Sequence, residues 1–439
     1  MFTASIIATV CGGELFGNGE AVCKKVITDS RKVEKGDLFI AIKGENFDGN
    51  AFAEMAFSKG AEVCLLSQKT TVPEGKAAVL VDDTGKALMQ LAAYYREKMG
   101  TKILAITGSV GKTTTKEMCA CALESKFSVH KTNGNFNNEI GMPLTLLKLL
   151  KEHDAAVIEM GMSHSGEIER LSTACRPDVA LITNIGMSHI ENLGSRENIL
   201  KAKLEILKGL KEGGTLIING DDELLKTAPL RGVNVLTYGF SDNCDIKGKA
   251  LSDNSVLVCG EEITLSVSGE HNLLNACGAM AAAKVFGINA ATAAKGIENF
   301  QTDERRQSIT KSEKGFYVIS DYYNASPQSV EAALSGLSKK EGRKIAVLGD
   351  MLELGEYSKE SHRKSAEVAA KFGIDILLLY GNESRETYLA AKDKISAFHF
   401  DDKEKLCEYL VSILKENDYV LIKGSRGMKM ETVYEKIMR

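Results

Sequence analysis

Ile103-Leu-Ala-Ile-Thr-Gly-Ser-Val-Gly-Lys-Thr-Thr-Thr-Lys116 decides how this chain is read. An apolar strand runs into a loop bracketed by Gly108 and Gly111, and the loop opens a helix at Lys112. Glycines at those places let the backbone turn tightly and approach a polyphosphate, so that several N–H groups and the positive helix end point at it. Lys112 would reach the β- and γ-phosphates and the Thr113 hydroxyl would ligate Mg2+. The common form of this loop has four residues between its first glycine and the Gly-Lys pair. Here only Ser109 and Val110 intervene. The plain alternative is a strand-to-helix turn that binds nothing.

The rest of the chain provides a frame for that loop. At 439 residues there is material for about three domains of roughly 150 residues. A net charge of -4 and few prolines point neither to disorder nor to a polyanion-binding surface, so nucleic acid is not an expected partner. The ten cysteines are scattered without paired metal-ligand spacing and read as reduced thiols of a cytoplasmic protein. Cys119 and Cys121, two apart on a helix, face different directions and read as core. No signal peptide or membrane span is visible in the sequence.

Residues 1–85 carry short apolar strands around 26–27, 38–42, 63–66 and 78–81 and a helix near 51–59, which makes a small α/β module. A helix over residues 85–99, apolar at Leu88, Leu91, Ala92 and Tyr95, connects it to the phosphate loop. From residue 102, strands at 103–106, 156–158, 179–183 and 215–218 alternate with helices at 112–126, 167–174 and 197–210. Continuous apolar strands between amphipathic helices predict a mostly parallel sheet covered on both faces. After residue 230 come shorter strands and an Ala-rich helix beginning near Asn272. The rhythm restarts past 302–306 with strands at 317–320, 345–348, 376–379 and 419–422. The reading is therefore three α/β domains: 1–85, a P-loop-type 86–303, and a Rossmann-like 304–439.

Polar residues gather where strands end, and open α/β sheets bind ligands at that edge. The strand 156–158 ends in Glu159, a candidate Mg2+ ligand, and the next delivers His189 to the same edge; a structural role for the histidine is equally compatible. Lys203 and Glu205 read as surface charges when taken bare. Gly269-Glu-His-Asn-Leu-Leu-Asn275, with Asn272 and Asn275, is a polar cluster at a helix start, where simple N-capping by Asn272 is the plain alternative. Asp303-Glu-Arg-Arg306 could clamp a phosphate or carboxylate, or form a linker salt bridge. Asp321-Tyr-Tyr-Asn-Ala-Ser-Pro327 and Gly349-Asp-Met-Leu-Glu-Leu-Gly355 follow strands and could be turn chemistry alone.

Taken in order, Thr107-Gly-Ser-Val-Gly-Lys-Thr-Thr-Thr-Lys-Glu117, Asn135-Phe-Asn-Asn-Glu-Ile-Gly-Met-Pro-Leu-Thr145, Glu159-Met-Gly161, Ala202-Lys-Leu-Glu-Ile206, His271-Asn272 and the two carboxy-terminal runs resemble the Mur ligases over essentially the whole chain. The loop and Glu159 would suit any ligase of that superfamily. The Asn-Phe-Asn-Asn, Asp-Tyr-Tyr-Asn and Gly-Asp-Met-Leu-Glu-Leu-Gly runs are similar to those of members that join D-alanyl-D-alanine to UDP-N-acetylmuramoyl-tripeptide.

Residue by residue, the resemblance implies ATP contacts from Gly108, Ser109, Gly111, Lys112, Thr113 and Thr114, with Asn272 and Asn275 at the adenine and Asp321 and Asn324 completing the nucleotide side. It implies metal ligation by Thr113, Glu159 and His189, with two Mg2+ ions expected. Lys203 matches a lysine that CO2 carbamylates into a metal-binding anion. Arg305, beside Arg306, is assigned to the phosphates. Ser30 and Arg31, with Asp48 and Asn50, resemble the segments that hold the uridine nucleotide, although the family usually has His where Asn50 stands. Asn135, Asn137 and Asn138 fall to the acceptor substrate. The implied enzyme is a monomer that closes around its substrates by hinges near 85–102 and 302–306. The rival ligase, which adds the third amino acid, typically carries an Asp-Asn-Pro-Arg run that is absent from this sequence, and a GTPase-like switch would want an Asn-Lys-x-Asp run, also absent. An ATPase that drives a protein partner is the rival from another class.

Overall fold

Three separate stretches of the chain build three open sheets in a computed structural model that describes residues 2–44, 47–302 and 305–438. Asp303 and Glu304 of the linker cluster lie outside the described residues. The first sheet has five strands in the order Glu14–Gly17, Ala77–Leu80, Val63–Leu66, Leu38–Ile40, Val26–Ile27, parallel except at its first pair. The fold is the expected three-domain, mostly parallel α/β architecture.

The central sheet has nine strands. Lys102–Thr107 is the third strand across it, flanked in parallel by Ala155–Glu159 on one side and Val179–Ile182 on the other. Five of its six residues are buried because helices cover both faces, which is why the sequence there is an unbroken apolar run. The chain leaves this strand in one direction and returns to its other side, so a crevice opens beyond the carboxyl ends of the three strands. The sheet then continues in parallel to Ile246–Ala250, and antiparallel strands Ser255–Val258 and Glu261–Thr264 finish it. The third sheet has six strands, with Tyr317–Asp321 parallel to Tyr419–Lys423 near its centre and an antiparallel strand, Ser308–Lys311, at one edge.

Two local expectations change, and one helix appears that the sequence reading did not place. Residues 4–11 form the helix Ala4–Cys11, capped by the Thr3 side chain and closed by Gly12 at φ +63°. The helix expected over 197–210 is α-helical only through Arg196–Leu204 and tightens to a 3-10 turn at Glu205–Lys208. Glu205 is not a solvated charge: its carboxylate turns onto the start of the helix Glu167–Cys175, accepting from Gly166 N at 2.8 Å and Ser165 Oγ at 2.9 Å.

The connector helix Thr84–Glu97 is no bare tether. Leu88, Leu91 and Ala92 are buried, Tyr95 Oη donates to Leu149 O at 2.8 Å, and the Arg96 guanidinium reaches Cys175 O at 3.0 Å. One apolar cluster joins Leu38 and Ile40, Leu88 and Leu91, and Ile103 and Ala105. The first and central domains therefore share a packed seam at this helix. All ten cysteines are free, and among the described residues no helix is long and apolar enough to cross a membrane.

Candidate active site

The phosphate loop is held from behind by the next strand. Asn184 receives the Val110 N–H on its Oδ1 at 3.0 Å, Thr183 Oγ1 donates to Val110 O at 2.7 Å, and Ser109 N donates to Asn184 O at 3.0 Å. A Cβ on Gly108 would meet Thr183 Oγ1 at 1.9 Å, so this close approach requires glycine. Gly111 has φ +85° and begins the helix Lys112–Glu124 with no side-chain cap. The first-turn N–H groups, usually satisfied by a Ser, Thr or Asp oxygen, are left for a ligand. Lys112 folds over the loop, donating to Gly108 O at 2.8 Å, and burial is the main influence that lowers its pKa.

This loop forms one wall of a cavity of about 670 Å3 between the central and carboxy-terminal domains, a size typical of small-molecule sites. Ser109, Gly111, Lys112, Thr113 and Thr114 line it from the loop; Asn137, Asn138, Glu159 and His189 line it from the central sheet. Asn272 and Asn275 line it from the central-domain helix Glu270–Val285, with Asn275 beside Gly111, and Asp321 and Asn324 line it from the carboxy-terminal domain. Gly108 supports the loop from beneath, and Asn135 lies in the same turn as Asn137 without reaching the lining.

Glu159 is nearly fully buried. Its Oε1 accepts from Asn137 Nδ2 at 2.7 Å, whereas its Oε2 has no hydrogen-bond partner, with Lys116 Nζ 4.0 Å away. A buried carboxylate oxygen left open toward a cavity fits a cation. Among the described residues no three His, Cys, Asp or Glu side chains gather into a complete metal cage, so a cation here would share its ligands with phosphate oxygens, as Mg2+ commonly does. His189 stands in the left-handed region at φ +63°. Its Nδ1 is 2.5 Å from Glu353 Oε2 of the carboxy-terminal domain, although off the line of a hydrogen bond. Lys203 is not a surface charge: it is 1% exposed behind the lining, and burial, then the positive charge of Lys112, push its ammonium well below the usual lysine range.

Across the cavity, Lys423 was not singled out from the sequence. It stands opposite Asp321 in the parallel register and donates to Asp321 Oδ2 at 2.6 Å and Asn324 O at 2.9 Å. Its one legible signal was a lysine at the end of an apolar strand. Asn275 Oδ1 accepts from Thr115 Oγ1 at 3.1 Å, and Asn272 donates to Ser268 O and to Gln307 Oε1, both at 2.8 Å. Neither asparagine caps the helix, which begins at Glu270 after Gly269. Gln307 also contacts His271 Nε2 at 2.9 Å, and burial lowers the pKa of that histidine.

Of the linker arginines, Arg306 lines the main cavity and Arg305 a side pocket of about 220 Å3 that opens beside Thr113 and Thr114. Both guanidinium groups lie over Tyr323, at 3.9 Å for Arg306 and 5.6 Å for Arg305.

The first-domain residues form a separate polar group outside this cavity. Arg31 is paired with Asp29 through two hydrogen bonds of 2.9 Å, which hold that carboxylate down at about 2. Ser30 is buried beside it. Asn50 donates to Asp48 Oδ1 at 2.7 Å and to Ser67 Oγ at 2.9 Å; the side-chain and backbone bonds from Asn50 lower the Asp48 pKa.

An uncapped phosphate loop, a buried carboxylate with an open oxygen and a cleft closed by a third α/β domain define a nucleotide-dependent enzyme. Three domain families match the chain in order: Mur ligase family, catalytic domain, over residues 23–96; Mur ligase middle domain over 106–283; and Mur ligase, glutamate ligase domain, over 305–426. The chain belongs to the Mur ligase family. It is 41% identical to the UDP-N-acetylmuramoyl-tripeptide–D-alanyl-D-alanine ligase of Bacillus subtilis, with 95% of this chain and 94% of that protein covered. The crystal structure of MurF from Acinetobacter baumannii superposes with a TM-score of 0.91 at 32% identity, covering 100% of this chain and 98% of that one. MurF of Thermotoga maritima in complex with ADP gives 0.85 at 31% identity, covering 94% and 97%.

Proposed function

We propose that this chain is an ATP-dependent ligase that joins D-alanyl-D-alanine to UDP-N-acetylmuramoyl-tripeptide, producing the pentapeptide precursor of peptidoglycan in the cytoplasm. The observation that carries the reading is the single cleft in which the open phosphate loop, the Glu159 carboxylate and the Asp321–Lys423 pair meet, in a chain related along its length to ligases of that name. The ADP complex of the Thermotoga relative supports placing ATP on the loop.

A carboxylate and an amine do not condense in water, so the carboxylate is first activated. A terminal carboxylate oxygen of the tripeptide attacks the γ-phosphorus, the bond to the β-γ bridging oxygen breaks, and ADP leaves behind an acyl phosphate. The amine of D-alanyl-D-alanine then attacks the carbonyl carbon; the tetrahedral intermediate collapses, phosphate departs and the nitrogen loses its proton. Joining two anions calls for positive charge and alignment more than for acid–base chemistry. Lys112 and the helix start supply charge from one side and Arg306 from the other, with Arg305 at the adjoining pocket. Mg2+, held by Thr113, Glu159 and His189, would neutralise charge on the transferred phosphoryl group. Burial lowers the Lys203 pKa well below the usual lysine range and so favours the neutral amine, the form that CO2 carbamylates, which supports its conversion to a metal-facing anion.

On this reading Asn272 and Asn275 face the adenine, and Asp321, steadied by Lys423, faces the nucleotide with Asn324. Ser30, Arg31, Asp48 and Asn50 take the uridine nucleotide; Asn135, Asn137 and Asn138 order the turn beside the acceptor carboxylate. The enzyme acts as a monomer. The test is phosphate release from ATP and Mg2+, with the tripeptide nucleotide and D-alanyl-D-alanine added separately and together, followed by the product mass. Release only with both, and a pentapeptide product, is the expected result. Release with neither acceptor would replace the ligase with an ATPase, and no release in any mixture would move the specificity to another stem-peptide step.

A further inference from the structure

Two non-glycine residues in the left-handed region meet across the interface between the central and carboxy-terminal domains. His189 and Glu353 both have φ +63°, and their side chains approach to 2.5 Å. Such backbone conformations persist only where the surroundings impose them, and they concentrate at functional clamps. Here the surroundings are a docking surface. Glu191 N donates to Glu353 O at 3.2 Å, Tyr357 Oη donates to Gly194 O at 3.3 Å, and Ile190 and Leu354 belong to one apolar cluster. The segment carrying Glu353 is itself anchored, since Leu352 N donates to Ser425 Oγ at 2.8 Å and Met351 N to His362 Nε2 at 3.1 Å.

His189 lines the cavity, and Glu353 does not. The carboxylate meets the imidazole on Nδ1 from outside the lining, and it is half-exposed, so packing alone does not explain its presence. We infer that Glu353 is a positioning residue: docking of the carboxy-terminal domain sets its carboxylate against His189 and orients the imidazole toward the cleft, so that the histidine is aligned only when the domains are together. Even off the hydrogen-bond line, a carboxylate 2.5 Å from Nδ1 favours by its charge the tautomer with the proton on that nitrogen and leaves Nε2 as the open one, which gives the contact a physical effect on the cleft.

This inference rests on the ligase reading for its turnover arm alone. Glu353→Ala and Glu353→Gly are expected to lower kcat about tenfold while KM for ATP stays within twofold; in a His189→Ala background, Glu353→Ala adds less than a twofold loss. Wild-type kcat in Glu353→Ala, losses that multiply in the double variant, or recovery of kcat by glycine, which would assign the effect to backbone strain, each overturn it. Glu353→Gln keeps the shape and carries the test if the alanine variant does not fold. Independently of turnover, the 15N shifts of the His189 ring in the labelled protein are expected to move in Glu353→Gln while the other histidine rings hold still; an unchanged His189 overturns the inference. A wild type without ligase activity would fail the functional reading and leave the ring shifts to decide this one.

Discussion

Lys112 and Lys203 show how far a single side chain depends on its surroundings. Both are lysines near a helix end; one covers the phosphate loop and the other is buried behind the cavity wall. Lys112→Ala removes charge that stabilises the transferred phosphoryl group, a loss on the order of 3 kcal/mol or more, and phosphate release with both acceptors present should fall to background. Lys203→Ala should lose turnover that short carboxylic acids partly restore. Full activity without them would rule out the carbamate. The depressed pKa of Lys203 also has a sign for stability. Because folding lowers this pKa, the unfolded chain binds the proton more tightly than the folded chain, so below the usual lysine value this group destabilises the fold and its penalty shrinks as pH rises toward that value. Lys203→Met in CO2-free buffer should therefore raise the denaturation midpoint at pH 7, and the gain should narrow by pH 10. A midpoint that falls at pH 7 would contradict the lowered pKa.

At the scale of elements, the turn before the helix Gly141–Leu146 controls Glu159. A Cβ on Gly141 would lie 2.4 Å from Phe136 Cα, a backbone atom that cannot swing aside. Gly141→Ala should push the turn outward, weaken the hydrogen bond from Asn137 to Glu159 and cost about 1–3 kcal/mol, read as a lower urea midpoint with a raised KM for the tripeptide nucleotide. Unchanged values of both would show that the turn absorbs the methyl group. The strands and long helices near Lys112 were legible because apolar runs and helical spacing record burial directly. The short helix Gly141–Leu146 and the strand Val129–Lys131 were missed, since six and three residues carry too little periodicity.

For the whole molecule, the packed helix Thr84–Glu97 ties the first domain to the central one, so closure around the substrates is predicted to turn on the joint between the central and carboxy-terminal domains rather than at 85–102. Small-angle scattering should show a smaller radius of gyration with a non-hydrolysable ATP analogue and both substrates bound. A spin-label distance across the Thr84–Glu97 seam should stay constant in the same titration. No compaction would remove the closure, and a changing seam distance would restore the hinge at 85–102.

The phosphate loop, Glu159 and the three-domain rhythm were determined by the sequence itself, because the chemistry of each lies in neighbouring residues or in a repeating pattern of burial. Lys423 on Asp321 and Glu353 against His189 join positions more than a hundred residues apart. Lys203 reads as a surface charge until the surrounding chain buries it. Those features were decided only by the tertiary structure, since partners brought together by strand register and domain docking leave no local periodicity, and burial of a charge is a property of the packing around it.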